Sequence, residues 1–168
     1  LRLVPGEVRT VLDCGCGEGR FGEGLQARGC RVTGIDVHPG AASVARQRLD
    51  RVLEGAIEEC LPALDPESFD CIVCADLLEH LVEPWRTARQ LATRLRPGGV
   101  FICSVPNVRH LAVLVDLVAR GRWTYRDSGE LDRTHLRFFT RQSAIEMIRS
   151  AGLEVDIARY AKATFDAR

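Results

Sequence analysis

The stretch VLDCGCGEGRFGEG, residues 11–24, sets five glycines (15, 17, 19, 22 and 24) directly after a carboxylate, Asp13. An apolar run that ends in a glycine-rich turn and continues into a helix-like stretch marks a parallel strand handing over to its crossover helix. Two spacings compete there. Gly17, Gly19 and Gly22 satisfy the G-x-G-x-x-G of dinucleotide sites, whereas Gly15, Gly17 and Gly19 form a tighter G-x-G-x-G behind Asp13. Charge decides between them. A diphosphate is drawn to such a turn by backbone N–H groups and the positive helix end, and a carboxylate in that space opposes it. At about 4 Å and an effective dielectric near 20, two unit charges interact by roughly 4 kcal/mol. A ligand carrying an ammonium and a sulfonium group but no phosphate is attracted by the same amount.

Working outward, apolar runs rich in Val, Ile and Cys recur at residues 8–13, 31–36, 69–75 and 99–105, with a weaker one at 51–54. Helix-like stretches lie between them at about 19–28, 40–48 and 84–95, the last spacing Trp85, Ala88, Leu91, Ala92 and Leu95 at helical intervals. RPGG at 96–99 reads as the end of that helix and the start of a strand. This alternation predicts a three-layer α/β/α sandwich around a mostly parallel, Rossmann-like sheet. Residues 107–135 break the rhythm with an apolar helix at 111–120 and a polar, lid-like segment after it. A helix at 141–151 then leads into a last strand, LEVDIARY at 153–160. One domain over residues 1–168 is expected, a trimmed piece of a longer chain with the insertion at 107–135.

Lys+Arg and Asp+Glu both number 23, which argues against a whole-domain nucleic-acid footprint. The longest apolar run, LAVLVDLVA at 111–119, is too short to cross a bilayer. Seven cysteines, most of them in strand-like runs, suit a reduced cytoplasm rather than a disulfide framework. In FDCIVCA, Cys71 and Cys74 are three apart on a strand, so they face opposite sides and cannot share a metal ion. Cys14 and Cys16 read as small turn residues.

Asp36, in VTGIDVHP at the end of the second strand, is placed to accept hydrogen bonds from both ribose hydroxyls of an adenosine, with Val37 beside it for the adenine. The plainer reading is a helix-start carboxylate ahead of Pro39. Together with VLDCGCGEG, the segments VTGIDVHP, ESFDCIVCADLLEHL, LRPGGVFICSVPN and HLRFFTRQSAIEMIRSAGLEV make the chain resemble the class I S-adenosylmethionine-dependent methyltransferases. The likeness is to the small-molecule branch that includes the ubiquinone-biosynthesis O-methyltransferases, and it spans nearly the whole sequence. It implies S-adenosylmethionine as cofactor. Asp13, Gly15, Cys16 and Gly17 would line its methionine part, Asp36 and Val37 its nucleoside, and Ala56, Ile57 and Ala75 the rest of the site. Ala56 stands where the family often has an aspartate, which leaves the adenine amino group to Glu58 or to water.

Methyl transfer from a sulfonium is an in-line displacement, so the protein mainly aligns the nucleophile and excludes water. A hydroxyl acceptor must lose its proton at or before attack, and a placed histidine therefore points to oxygen. His80, after the fourth strand, and His135, after the lid-like segment, are the two candidates for touching substrate or acting as base. DLLEH also gathers Asp76, Glu79 and His80, a possible divalent-ion set. It is similar to the E-x-x-E-H element of metal-dependent bacterial methyltransferases of RNA 3′ ends, whose further histidine corresponds here to nothing clearer than His110 or His135. We expect no metal, and an arginine partner for Glu79. Residues 107–149 hold eight arginines against five acids, a charge able to bind a carboxylate or phosphate on the acceptor, or simply a solvated face. The expected function is methyl transfer to a small-molecule, sugar or glycan-linked acceptor, without nucleic-acid or membrane partners. The alternatives are an RNA 2′-O-methyltransferase and a non-catalytic cofactor-binding module of a larger protein.

Overall fold

The computed structural model describes residues 3–160. Five strands form one parallel sheet: β1 (Thr10–Cys14), β2 (Arg31–Asp36), β3 (Arg51–Glu54), β4 (Phe69–Ala75) and β5 (Leu95–Ser104), in the order β3-β2-β1-β4-β5. The helices are α1 (Arg20–Gln26), α2 (Pro39–Ala45), α3 (Ile57–Cys60), α4 (Pro84–Ala92), α5 (Leu111–Arg120) and α6 (Arg141–Ser150). The strand order reverses between β1 and β4, and the crevice at their carboxyl ends is where open α/β sheets bind ligands.

Alternation along the strands builds two cores. Val11, Val32, Cys71 and Val73 face Leu25 of α1, Ala45 of α2 and Leu49. Leu12, Ile35, Ile72 and Cys74 face the other side, against Ile57, Leu91 of α4 and Met147 of α6. Cys71 and Cys74 thus belong to opposite faces, as the period of two requires. All seven cysteines are free. Gly22 is where α1 meets the sheet, since a Cβ there would lie 2.6 Å from Leu49 and 2.9 Å from Val32. Among the described residues no helix is long and apolar enough to cross a membrane.

Two boundaries differ from the sequence reading. The helix expected at 84–95 stops at Ala92, and Leu95 is already the first residue of β5, paired with Phe69. RPGG is not a helix stop but a bulge inside the strand, because the register jumps from Leu95↔Phe69 to Val100↔Cys71. Arg96 stays outside and binds the Asp70 carboxylate at 2.7 Å. Leu95 misleads because it continues the apolar stripe of α4 while belonging to the sheet. The second difference is LEVDIARY. Residues 153–160 form no strand, since a strand exists only through a partner and no described residue pairs with them. The helix at 111–120 forms as expected, yet of its residues only Val113 is buried.

Candidate active site

The cofactor half grows from β1 and β2. Asp13 points from β1 into the sheet end, 3% exposed, and its Oδ2 is shut off from solvent without a hydrogen-bond partner. Burial, then the neighbouring charge of Asp36, pushes its pKa up to about 6. The glycine turn spends its amides internally. Gly15 and Cys16 N–H both donate to the Ile35 carbonyl, Gly17 N–H donates to Asp36 Oδ2 at 2.7 Å, and Gly19 N–H donates to Cys16 O. A phosphate would need those donors free. Gly17 has φ 54°, and a Cβ on it would meet nothing within 4 Å, so the turn presents bare backbone to open space. Asp36 takes a second amide, from His38, on Oδ1 at 2.9 Å. It is therefore both the clasp between two turns and, through its remaining lone pairs, an acceptor for hydroxyls.

The acceptor half is assembled from distant segments. After β4, Asp76 adopts φ 50° and accepts the Ser104 hydroxyl at 2.9 Å, tying the ends of β4 and β5. A 3-10 turn, Leu78–His80, then carries Glu79 and His80. A strap at residues 130–137 packs against it: the amides of Leu136 and Arg137 both donate to the Glu79 carbonyl, and the Arg137 guanidinium donates to Val82 O. In that strap the Asp132 carboxylate accepts the Thr134 amide and hydroxyl, bonds that hold its pKa below the ordinary value. The resulting turn presents His135 to His80, with ring centroids 4.9 Å apart and edge to face.

Both imidazoles are anchored in the same way. His80 Nδ1 lies 3.2 Å from the Thr134 carbonyl, and His135 Nδ1 lies 3.2 Å from the Glu130 carbonyl. A carbonyl only accepts, so each Nδ1 carries a proton, and in the neutral ring Nε2 is the nitrogen that keeps a lone pair. Beside them Glu79 is 1% exposed, and neither of its carboxylate oxygens has a partner. Burial pushes its pKa up to about 7, the charge of Asp76 adding to the effect.

Residues 1–157 match the family described as a methyltransferase domain. The chain belongs to that family. Within it, the domain is 31% identical over 161 residues to the ubiquinone biosynthesis O-methyltransferase of Azoarcus sp. (strain BH72), covering 86% of this chain and 67% of that protein. The solved S-adenosylmethionine-dependent methyltransferase of Archaeoglobus fulgidus superposes with TM-score 0.70 at 19% identity, over 88% of this chain and 62% of that one. A Thermotoga maritima structure described as a possible histamine N-methyltransferase gives 0.69 at 25%, over 92% and 67%. The domain spans about half to two thirds of the length of the curated relatives it matches.

The S-adenosylmethionine that the family implies fits these residues: a buried carboxylate oxygen without a partner, an open glycine backbone and an acid at the end of β2 stand together. Asp13, Gly15, Gly17, Asp36 and Ala75 all lie at the carboxyl ends of β1, β2 and β4. Val37 is 56% exposed and free to cover a flat ring. Ala56 caps α3 and opens the same rim. Two residues offer less than expected. The Cys16 side chain turns inward, so that a Cβ on Gly34 would strike its Sγ at 2.7 Å, and Ile57 is only 5% exposed within the core. Both have little but backbone left for a ligand. One Glu58 oxygen is taken by the Thr87 hydroxyl of α4 at 3.2 Å.

Glu79 has no arginine partner in the structure, contrary to expectation, because both guanidiniums of the strap beside it are spent elsewhere, that of Arg137 on backbone carbonyls and that of Arg133 on Asp127. It is the functional residue that the sequence reading left off its site. Its signal was an acid inside the apolar run LLEHL. The arginines of 107–149 are mostly engaged: Arg120 and Arg126 pair with Asp116, and Arg133 pairs with Asp127. Trp123 and Tyr125 both contact Phe138, at ring centroid distances of 5.1 Å and 6.2 Å.

Proposed function

We propose that this domain transfers a methyl group from S-adenosylmethionine to an oxygen of a small-molecule, sugar or glycan-linked acceptor. The observation that carries the reading is Asp13 Oδ2, buried and unpartnered beside a glycine turn whose amides are already taken. A cation resolves that arrangement, and a diphosphate worsens it. The name of the Azoarcus relative supports oxygen as the accepting atom. So does the histidine pair, since an oxygen acceptor needs a group that handles its proton and the Nε2 lone pairs of His80 and His135 are there for it.

When bound, the cofactor supplies a methyl carbon already activated by its sulfonium leaving group. Asp13 holds the cationic end, and Asp36 accepts from the ribose. Val37 and Ala56 flank the base, while Ala75 and the turn after β4 border the transfer path. His135, buried and fixed by Glu130 O, and His80, fixed by Thr134 O, face the acceptor. The segment 107–135 ends in His135 and so belongs to the acceptor side.

Calorimetric titration with S-adenosylhomocysteine and with NAD tests the cofactor half: the first should bind and the second should not. Binding of NAD alone would end the reading. For the acceptor half, a panel of hydroxyl, amine and RNA acceptors with labelled S-adenosylmethionine should label a hydroxyl compound. Label on RNA alone, with salt-dependent binding, would move the reading to nucleic acid. Cofactor binding with no acceptor labelled would make the domain a non-catalytic module.

A further inference from the structure

We propose that Trp123, Tyr125 and Phe138 form a subsite for an uncharged sugar ring of the acceptor, adjoining the ring whose hydroxyl faces His135. The three aromatic rings meet although two come from the lid-like segment and one from the stretch after it. Trp123 stands edge to face on Phe138 at 5.1 Å, and Tyr125 tilts against it at 6.2 Å. Trp123 still keeps 37% of its surface exposed and Tyr125 45%. Two large rings braced on a third and left open to solvent make an aromatic platform that a ligand can cover. The platform is close to the chemistry. Phe138 follows His135 by three positions, a length of chain that spans at most about 11 Å, and the two amides next after His135 are those that bind the Glu79 carbonyl.

Charge and openness choose the ligand. Residues 116–133, which carry and flank Trp123 and Tyr125, hold four arginines and four acids, so the platform stands on a stretch without net charge. Three of those arginines are spent, Arg120 and Arg126 on Asp116 and Arg133 on Asp127. A single-stranded nucleic acid also stacks on aromatic rings, but its phosphates call for free cations along the groove. A flat aromatic acceptor is held best in a cleft that covers about 70–90% of its surface, which a platform open on one side does not provide. A sugar ring differs from both. One of its faces is lined with C–H groups that pack on an aromatic ring, while its hydroxyls stay with water or with polar groups at the rim. The rim has that chemistry. Arg126, the residue after Tyr125, lines a hollow of about 660 Å3 together with Leu111, Val115 and Asp116. Its wall sets apolar side chains beside a carboxylate and guanidinium that can accept from and donate to hydroxyls, and its size falls within the range of about 300–1,000 Å3 usual for ligand sites.

This inference rests on the oxygen-acceptor reading and deepens it: the methylated hydroxyl belongs to a glycoside or oligosaccharide that is held by a second ring.

The test applies the domain, saturated with S-adenosylhomocysteine, to an array of neutral and acidic oligosaccharides, with oligouridylate and catechol as competitors, and follows the hits by calorimetry. Neutral oligosaccharides should be retained. Trp123→Ala and Tyr125→Ala should each weaken that binding by roughly two- to tenfold, and Trp123→Phe, which keeps a ring, should restore most of it. S-adenosylhomocysteine affinity and the melting temperature should stay at the wild-type level in all three, which reports that these surface variants fold. Retention of no neutral oligosaccharide, or equal affinity in the alanine variants, would overturn the proposal. Salt-dependent displacement by oligouridylate would overturn it in favour of a nucleic acid. Methylation of a sugar-free phenol, with a KM that Trp123→Ala leaves unchanged, would overturn it while leaving the oxygen reading intact. Ring-dependent oligosaccharide binding with no hydroxyl methylated would do the reverse.

Discussion

The two halves of the site are built differently. The cofactor half comes mostly from one short run of chain, β1 through the start of α2, with Ala56 and Ala75 added at its rim; in that run each turn follows its strand directly and backbone bonds from Gly15, Cys16 and Gly17 lock β1 to β2. The acceptor half is made by the 3-10 turn after β4 and a strap more than fifty residues later, joined through the Glu79 and Val82 carbonyls and by the hydrogen bond of His80 with Thr134 O. The first is a property of strand grammar and the second a property of tertiary packing. Each half also holds one buried carboxylate oxygen set without a partner, Asp13 Oδ2 in one and both Glu79 oxygens in the other. Buried orphan charge is therefore concentrated where ligands are expected and is compensated only when they arrive.

Removing the charge of the first half should produce the largest effect. Asp13→Asn keeps the shape and deletes an attraction of roughly 4 kcal/mol at contact distance, an affinity loss of up to about a thousandfold for S-adenosylmethionine. The same change should raise the stability of the ligand-free domain. A carboxyl whose pKa rises from 3.8 to about 6 on folding opposes folding above pH 6 by about 3 kcal/mol, and the amide carries no such penalty. Calorimetry and thermal melts at pH 8 check both. Equal cofactor affinity in variant and wild type would remove Asp13 from the site.

Next in size is the second half. His135→Ala should lower kcat by about a hundredfold or more, and it should leave S-adenosylhomocysteine affinity within about twofold, since the two halves share no side-chain partner. Stopped turnover together with lost cofactor binding would show that the halves are one unit.

A smaller and graded effect comes from pH. The Asp13 carboxyl has a folded pKa raised to about 6, so the ligand-free protein gains stability as pH falls through 6 and loses it as pH rises. Affinity for a cationic ligand runs the other way. Between pH 6 and pH 4 it should fall by about tenfold per unit, and Asp13→Asn should flatten that slope. Titrations across this range decide the matter. A wild-type slope that survives in the variant would assign the titration to another group.

The contrast between the halves also explains what the sequence makes legible. Val11 to Asp36 is local, and there period, glycine spacing and a misplaced charge announce the fold, the crevice and the cofactor. Leu95 is ambiguous to any local reading, because a residue in register with an apolar helix face can equally open the next strand. LEVDIARY has a strand's alternation but no described residue pairs with it, and no pattern within eight residues shows whether a partner will be there. Glu79 reads in the sequence as an acid awaiting an arginine or as one of a divalent-ion set with Asp76 and His80, since nothing near it in sequence shows that residues 130–137 will roof it over. His135 was legible as a candidate only because a histidine beside an aspartate and a threonine in a loop is chemically conspicuous. Its meeting with His80 was legible only through the likeness of DLLEH to a metal-binding element whose further histidine either His110 or His135 would supply.

The joint between the halves offers the finest test. Arg137 holds the strap to the turn after β4 through its guanidinium on Val82 O, at an exposed position. Truncation to alanine removes the charge-assisted hydrogen bond that crosses to Val82 O, about 1 kcal/mol at such a site, together with the local one to Leu136 O, and lowers Tm by roughly 2 to 4 °C in a domain of this size. The Leu136 and Arg137 amides stay on the Glu79 carbonyl, so the strap loosens without leaving. If the acceptor half is a separate unit, the loss should appear as a severalfold rise in the KM for the acceptor, because the groups that face it are positioned less often, while S-adenosylhomocysteine binding is unmoved. If cofactor affinity falls in step with KM, strain passes through β4 to β1, and the division drawn between strand grammar and tertiary packing does not hold for this domain.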